Sequence, residues 1–310
     1  MKYLHSYGNS IVEEFDLDKP ECPVNGILVK TKLVGVCRSD INQYLGNEEG
    51  VPFGMFGHEG LGQVAEIGPS FKSDRGEEVK VGDYVSTWSD PAYGDYYPAQ
   101  PNEFVIIPEA DPKYILQPVA CAANIYRQTK KFMKMMEISG PILVLGSGFM
   151  STVIAELAIA EDQEIAVVGK ANAEIFEDLG VERFNSLEQK DFLEVKRKVV
   201  IDISSKADYF YSLPEIVLDG GLIAYAGTPT ENVVTNFFEN CWQCHTFIMP
   251  SPRNADFNDA MAMSRDFIMA GELDTARLWS EGYDRKTDFK HAFEDGANRP
   301  KGYLRGYLQW

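Results

Sequence analysis

Two short stretches carry residues suited to metal chemistry. GVCRSDINQYLG sets Cys37 beside Arg38, Ser39 and Asp40, and FGHEGLGQVAEIG sets His58 beside Glu59. The chain has only five cysteines and four histidines, so few places could supply such donors. Cys37 alone could be a buried apolar residue, a redox thiol or a metal ligand, and a lone histidine is more often structural than ligating. Here each is accompanied by a carboxylate, Asp40 or Glu59, in the same strand-rich region. Thiolate, imidazole and carboxylate are the ligand types of zinc. A catalytic zinc takes three protein ligands and leaves one position open for Lewis-acid activation of an oxygen.

A third stretch, VLGSGFMS, points to a different ligand. Gly146, Gly148 and Ser151 form G-x-G-x-x-S between a strand and a helix, one residue short of the dinucleotide fingerprint. The first glycine permits the tight turn, and the second lets the backbone approach a pyrophosphate at the helix start. The third position needs only a small side chain for helix–strand packing, which Ser151 supplies. The next strand, EIAVVGKANAE, ends in Gly169 and Lys170 with no acid at its tip. An acid there would repel a 2′-phosphate, whereas glycine leaves room and lysine offers charge. The expected cofactor is therefore NADP(H) in preference to NAD(H).

The elements that must hold these residues differ between two parts of the chain. GILVKTKLVGVC, GLGQVAEIG, VGDYVSTW and NEFVIIPEA are short runs rich in β-branched residues, and they predict a β-rich module over roughly the first 115 residues. PVACAANIYRQTKKFMKMMEI then takes helical spacing, with Ile125, Phe132, Met133 and Met136 on its apolar positions. Met133, Met135 and Met136 read as packing residues. PILVLGSG, EIAVVG, KVVIDIS, GGLIAYAG and HTFIMP read as strands, and STVIAELAIAE as a helix. The alternation predicts an α/β parallel sheet with helices on both faces. DFNDAMAMSRDFIMAG follows as an amphipathic helix and GYLRGYLQW as a closing strand that could complete the β-rich module.

Bulk properties exclude several classes. The 310 residues are 45% hydrophobic and 25% charged, the balance of a folded protein, and allow one large or two ordinary domains. A net charge of −18 repels phosphate backbones, which argues against a nucleic-acid partner. No continuous apolar run of membrane-spanning length occurs, and MKYLHSYGNSIVEEF lacks the features of a signal peptide. Cys22, Cys37, Cys121, Cys241 and Cys244 are too sparse for a disulfide framework. The expected setting is cytoplasmic and reducing. CWQCH matches a haem-attachment pattern, but that chemistry needs export, so two sulfur side chains near a sheet edge is the better reading.

The ordered set GVCRSD, GHEGLGQVAEIG, VGDYV, ILVLGSGFMS and GGLIAYAG resembles the zinc-dependent medium-chain alcohol and polyol dehydrogenases, nearly end to end. The resemblance implies a GroES-like catalytic domain over 1–122 and 252–310, with a doubly wound Rossmann domain inserted over 123–251. It implies one catalytic zinc on Cys37 and His58, with Glu59 or Gln117 completing the ligands. Ser39 matches the hydroxyl that takes the substrate proton, Asp40 the carboxylate behind the ligands, and Arg38 a cofactor-pyrophosphate contact. Gln117 stands where many members carry a glutamate ligand. Cys121 is expected near the nicotinamide, and Asn42 replaces a histidine of the outer proton relay. The four-cysteine structural-zinc loop is missing, and Trp88, Tyr93, Tyr96 and Tyr97 in its shortened place are candidates for a substrate cleft or for packing. The implied substrate is a small alcohol, polyol or sugar, or the corresponding carbonyl compound, and the implied assembly a homodimer or homotetramer. A zinc-free quinone or enone reductase would lack the Cys37 and His58–Glu59 pattern. A non-catalytic nucleotide-binding protein on the same fold is the other alternative.

Overall fold

A computed structural model describes all residues except 48–49, 188–196, 228–236, 252, 254 and 255. Residue 252, where the sequence sets the return to the first domain, lies outside the described residues. The chain divides into two compact units, residues 1–119 with 261–310, and residues 120–260.

The first unit is built on β1 (Lys2–Gly8), β2 (Ile11–Asp16), β3 (Ile27–Gly35), β4 (Gly60–Ile67), β5 (Tyr84–Thr87), β6 (Tyr96–Ala99) and β7 (Phe104–Ile107). β1 and β2 form an antiparallel hairpin. β3 is the hub of a seven-stranded sheet and pairs antiparallel with β4 and with β6. Its burial explains its composition, because seven of the nine residues in ILVKTKLVG are buried. Late in the chain come β14 (Glu281–Asp284), helix α5 (Phe289–Asn298) and β15 (Gly306–Gln309). β15 joins the same sheet against Leu33–Gly35, so a segment from the far end of the sequence completes this unit.

The strand read in GILVKTKLVGVC forms as β3, and helix α1 (Arg38–Leu45) follows directly after it. β3 stops at Gly35, Cys37 becomes the helix N-cap, and the Asp40 carboxylate accepts the Cys37 N–H at 2.9 Å. This backward reach from the third helical position is half of a capping box. Gly46 ends the helix in the left-handed region, with φ of 77°. Below α1 lies an aromatic core of Tyr44, Phe56, Tyr93 and Phe293, with Phe56 and Tyr93 centroids 4.9 Å apart and Phe56 and Phe293 5.7 Å apart.

Gly57 links this core to His58. Its φ is 89°, and a Cβ added there would run into the Tyr93 ring. Gly57→Ala is expected to destabilise the protein by about 1–3 kcal/mol through backbone strain. Urea unfolding checks this, and an unchanged midpoint would mean that the loop relaxes freely away from the ring.

The second unit carries β8 (Ile142–Leu145), β9 (Ile165–Val168), β10 (Glu182–Phe184), β11 (Arg197–Asp202), β12 (Val217–Tyr225) and β13 (Thr246–Ile248). They form one parallel sheet in the order β10-β9-β8-β11-β12-β13. Every residue of β8 is buried, as a central parallel strand requires. The strand order reverses between β8 and β11, and ligands of such sheets bind where the order reverses. Helix α2 (Leu116–Met135) runs into this unit, α3 (Phe149–Ala160) follows β8, and α4 (Phe257–Ala270) leaves it. β10, from VERFN, carries too short an apolar pattern to be read as a strand. Met133 is buried as expected, but Met135 is 67% exposed and packs no core. Among the described residues no helix is long and apolar enough to cross a membrane.

Candidate functional site

The loop before β4 delivers His58 and Glu59, and the start of α1 delivers Cys37. Their ligand atoms lie within 4.8 Å of one another, the one such group of histidine, cysteine and carboxylate among the described residues. His58 Nε2 is buried and has no hydrogen-bond partner there. An orphaned imidazole nitrogen beside a thiol and a carboxylate is the donor set that zinc requires. The other ring nitrogen, Nδ1, lies 3.7 Å from Asp40 Oδ1. A carboxylate beside the second ring nitrogen is the usual support of a ligating histidine.

Glu59 is fully buried, and both its oxygens meet the Arg305 guanidinium: Nε at 3.2 Å from Oε2, and Nη2 in contact with Oε1. Gly35 makes room, since a Cβ there would strike Glu59 Oε2. Burial pushes the Glu59 carboxyl up, and Arg305 opposes that, leaving it raised to about 8. Burial alone would lower the Arg305 guanidinium, but Glu59 and Cys37 hold it above its ordinary value, and it also hydrogen-bonds the Cys37 side chain. The direction that decides the chemistry is the opposition between burial and guanidinium at Glu59. A low-dielectric site raises the carboxyl, and the nearby cation limits that rise.

The remaining predicted residues sit as follows. Arg38 is exposed and Ser39 half-buried on the first turn of α1, and Asn42 is buried on the same helix. Gln117 is buried in the first turn of α2, and Cys121 is half-buried further along it. The five cysteines form no disulfide. In the shortened loop segment, Tyr93 and Tyr97 are fully buried and belong to the core.

In the second unit, Gly146 turns the chain at the end of β8 with φ of 123°. Gly148 is exposed and is the N-cap of α3, and a Cβ on it would meet nothing within 4 Å. The open space faces the helix start, where amide N–H groups and the helix dipole favour a pyrophosphate. Ser151 is buried, and its hydroxyl donates to the Gly146 carbonyl at 2.8 Å, tying the turn to the helix. Gly169 packs against Ser147, and Lys170 is exposed beyond the tip of β9. The Cys37, His58 and Glu59 cluster therefore fits a metal, and the residues around the Gly146 turn fit a dinucleotide.

Residues 24–102 match the alcohol dehydrogenase GroES-like domain family. Over 257 residues, 72% of this chain and 75% of the relative, the sequence is 21% identical to the L-threonine 3-dehydrogenase of Idiomarina loihiensis. The fold matches the alcohol dehydrogenase of Thermus sp. ATN1 with a TM-score of 0.81 at 16% identity, over 100% of this chain and 99% of that one. The chain carries an alcohol dehydrogenase GroES-like domain over residues 24–102 and shares the fold of that alcohol dehydrogenase. Other similarities are local. Identity to the L-threonine 3-dehydrogenase of Thermococcus kodakarensis is 31% over 108 residues, 34% of this chain and only 29% of that enzyme. The match to the Pyrococcus horikoshii counterpart spans 38% of its length.

Three residues near the candidate site have no signal in the motifs. Arg305 comes from the segment read only as a closing strand. Desolvation, Arg38 and Arg305 lower the pKa of Arg299, so three guanidiniums crowd one region of the first unit. Arg183, on β10, donates from Nη1 to the Gly169 carbonyl at 2.7 Å, and its buried Nε has no partner among the described residues.

Proposed function

We propose that the protein is a zinc- and nicotinamide-dependent oxidoreductase that interconverts an alcohol, polyol or sugar and the corresponding carbonyl compound. The observation that carries this reading is the gathering of Cys37, His58 and Glu59 within 4.8 Å, together with a buried His58 Nε2 that has no hydrogen-bond partner among the described residues. When bound, zinc supplies Lewis acidity toward a substrate oxygen, and the nicotinamide gives or takes hydride.

Each residue then has a task. Cys37 and His58 would hold the ion, with Glu59 or Gln117 completing the set. Asp40 caps α1 through the Cys37 N–H and faces His58 Nδ1, so one carboxylate orients both ligands. Ser39, on the first turn of α1, would accept the substrate hydroxyl proton and pass it outward. Arg305 competes for Glu59: any engagement of this carboxylate with the ion loosens its grip on the guanidinium. Gly146, Gly148 and the N–H groups at the start of α3 would receive the pyrophosphate, with Arg38 as a further cation.

The test is a turnover screen of alcohols, polyols, sugars and carbonyl compounds with both cofactors, alongside metal analysis. No turnover of any of them would favour a non-catalytic nucleotide-binding protein, and turnover without metal would favour a zinc-free reductase.

The same reading includes a preference for NADP(H). Lys170 is exposed at the strand tip, with Arg183 hydrogen-bonded to the adjacent Gly169 carbonyl. Lys170→Asp is expected to lower the ratio of kcat/KM with NADPH to that with NADH about tenfold, the equivalent of ~1.4 kcal/mol. Better use of NADH by the unmodified protein would overturn the preference.

A further inference from the structure

We propose that Tyr93 is a positioning residue for the metal centre, its hydroxyl fixing the Asp40 carboxylate and its ring and backbone seating the loop that carries His58. The proposal rests on the zinc reading of Cys37 and His58. Tyr93 is fully buried. Its hydroxyl lies 3.0 Å from Asp40 Oδ2 and 3.1 Å from the Gly35 carbonyl. A phenol has one proton to donate, and an ionised carboxylate is the stronger acceptor.

Asp40 is the junction of the site. Its Oδ2 also accepts the Cys37 N–H at 2.9 Å, and its Oδ1 is 3.7 Å from His58 Nδ1. The Tyr93 hydroxyl therefore adds a second donor on the oxygen that caps α1 and sets which way the other oxygen points. The same residue also holds the opposite arm. Ala92 and Tyr93 donate backbone N–H groups to the Gly57 and Phe56 carbonyls at 2.9 and 3.3 Å. Gly57, next to His58, lies so close to the Tyr93 ring that no Cβ fits between them. One side chain thus touches both the helix that brings Cys37 and the loop that brings His58.

Ordinary core packing accounts for the ring, which contacts Phe56, Phe293 and Trp310 at centroid distances of 4.9, 5.8 and 6.5 Å. It does not account for a buried hydroxyl aimed at a carboxylate. Tyr93→Phe separates the two roles, because it keeps the ring and removes only the donor.

The experiment strips the full-length protein of metal and titrates zinc against a chromophoric chelator, for the unmodified chain, Tyr93→Phe, Asp40→Asn and the double variant. Thermal melting of each metal-free protein accompanies it. Groups behind the ligands are worth ~10–100-fold in metal affinity. Tyr93→Phe, one bond further out, is expected to weaken zinc binding about tenfold. In the Asp40→Asn background the same change should have almost no further effect, because Tyr93 acts through Asp40. Melting reports loss of packing, and a variant that melts earlier yet binds zinc as tightly as the unmodified chain overturns the proposal. So does a weakening that is the same in both backgrounds. Should Tyr93→Phe not fold, the proposal is read from Tyr93→His, which keeps a ring donor: affinity equal to that of Asp40→Asn would overturn it, and affinity nearer the unmodified chain supports it. If the unmodified protein takes up no zinc, the metal reading and this proposal fall together. If it takes up zinc and Tyr93→Phe does so equally well, only the role of Tyr93 falls.

Discussion

Cys37→Ser is expected to empty the metal site and to lower kcat/KM by about 10³-fold, the scale of several kcal/mol that Lewis-acid stabilisation supplies. Serine offers a neutral hydroxyl where zinc takes a thiolate, and His58 with Glu59 alone leave the ion under-coordinated. The fold should survive. Cys37 is the N-cap of α1 and holds Asp40 through its backbone N–H, which the substitution leaves in place. Serine is also a preferred N-cap residue, so the helix start is not weakened. Metal analysis should find about one zinc per unmodified chain and almost none in the variant, at unchanged melting temperature of the metal-free proteins. A variant that keeps its zinc, or its turnover, would falsify the assignment of Cys37 as a ligand.

Above pH 8, where Glu59 is ionised beside it, Arg305→Met is expected to destabilise the metal-free protein by about 3–5 kcal/mol, the usual cost of stranding one partner of a buried ion pair. Glu59 has no solvent exposure, and Arg305 is 12% exposed. The penalty depends on pH. Burial raises the Glu59 carboxyl from its ordinary value of 4.5 to about 8 even with the guanidinium opposing it. A folded-state value above the unfolded one means that the native state holds the proton longer. Stability from this group is thus present in full below the unfolded value and falls as pH rises toward the folded value. Without Arg305 the carboxyl moves further up, so the decline reaches to higher pH. Urea midpoints should differ least at and below neutral pH and most above pH 8. Equal losses at both ends would assign the effect to packing of Arg305 on Trp279, 5.8 Å from that ring, and not to charge. Saturating zinc should restore part of the loss by giving Glu59 another cation.

The sequence disclosed those parts of the site whose signals are local. The glycine turn follows directly on a strand, and the Cys37 and His58–Glu59 stretches carry distinctive residue types within a few positions. The parallel sheet was legible because fully buried strands such as β8 read as unbroken apolar runs. Helix α1 was not. Its sequence is polar at several buried positions, among them Asp40, Asn42 and Gln43, so it shows no apolar face, and Asp40 is buried because it caps the helix and meets the Tyr93 hydroxyl. Arg305, Arg183 and Tyr93 were invisible as site residues for another reason. Each acts on a residue brought near by sheet pairing, and one sequence read alone does not give that pairing. Tyr93 was legible as an aromatic in a shortened loop, but substrate contact and packing were the roles its type suggested. The hydroxyl's acceptor appears only when β3, α1 and the His58 loop are assembled.

Arg305 and Glu59 stand 246 residues apart along the chain, and β15 covers the Leu33–Gly35 end of β3 from that distance. Translation is vectorial, so Cys37, Asp40 and His58 leave the ribosome long before the guanidinium that neutralises Glu59 has been made. Throughout that interval this half of β3 lacks its β15 partner, an unpaired edge of the kind that invites wrong pairing. Contacts so distant in sequence are also among the last to form. For most of its synthesis, then, the nascent protein offers Glu59 no Arg305 guanidinium, and a metal ion that arrives early meets the carboxyl without that competitor.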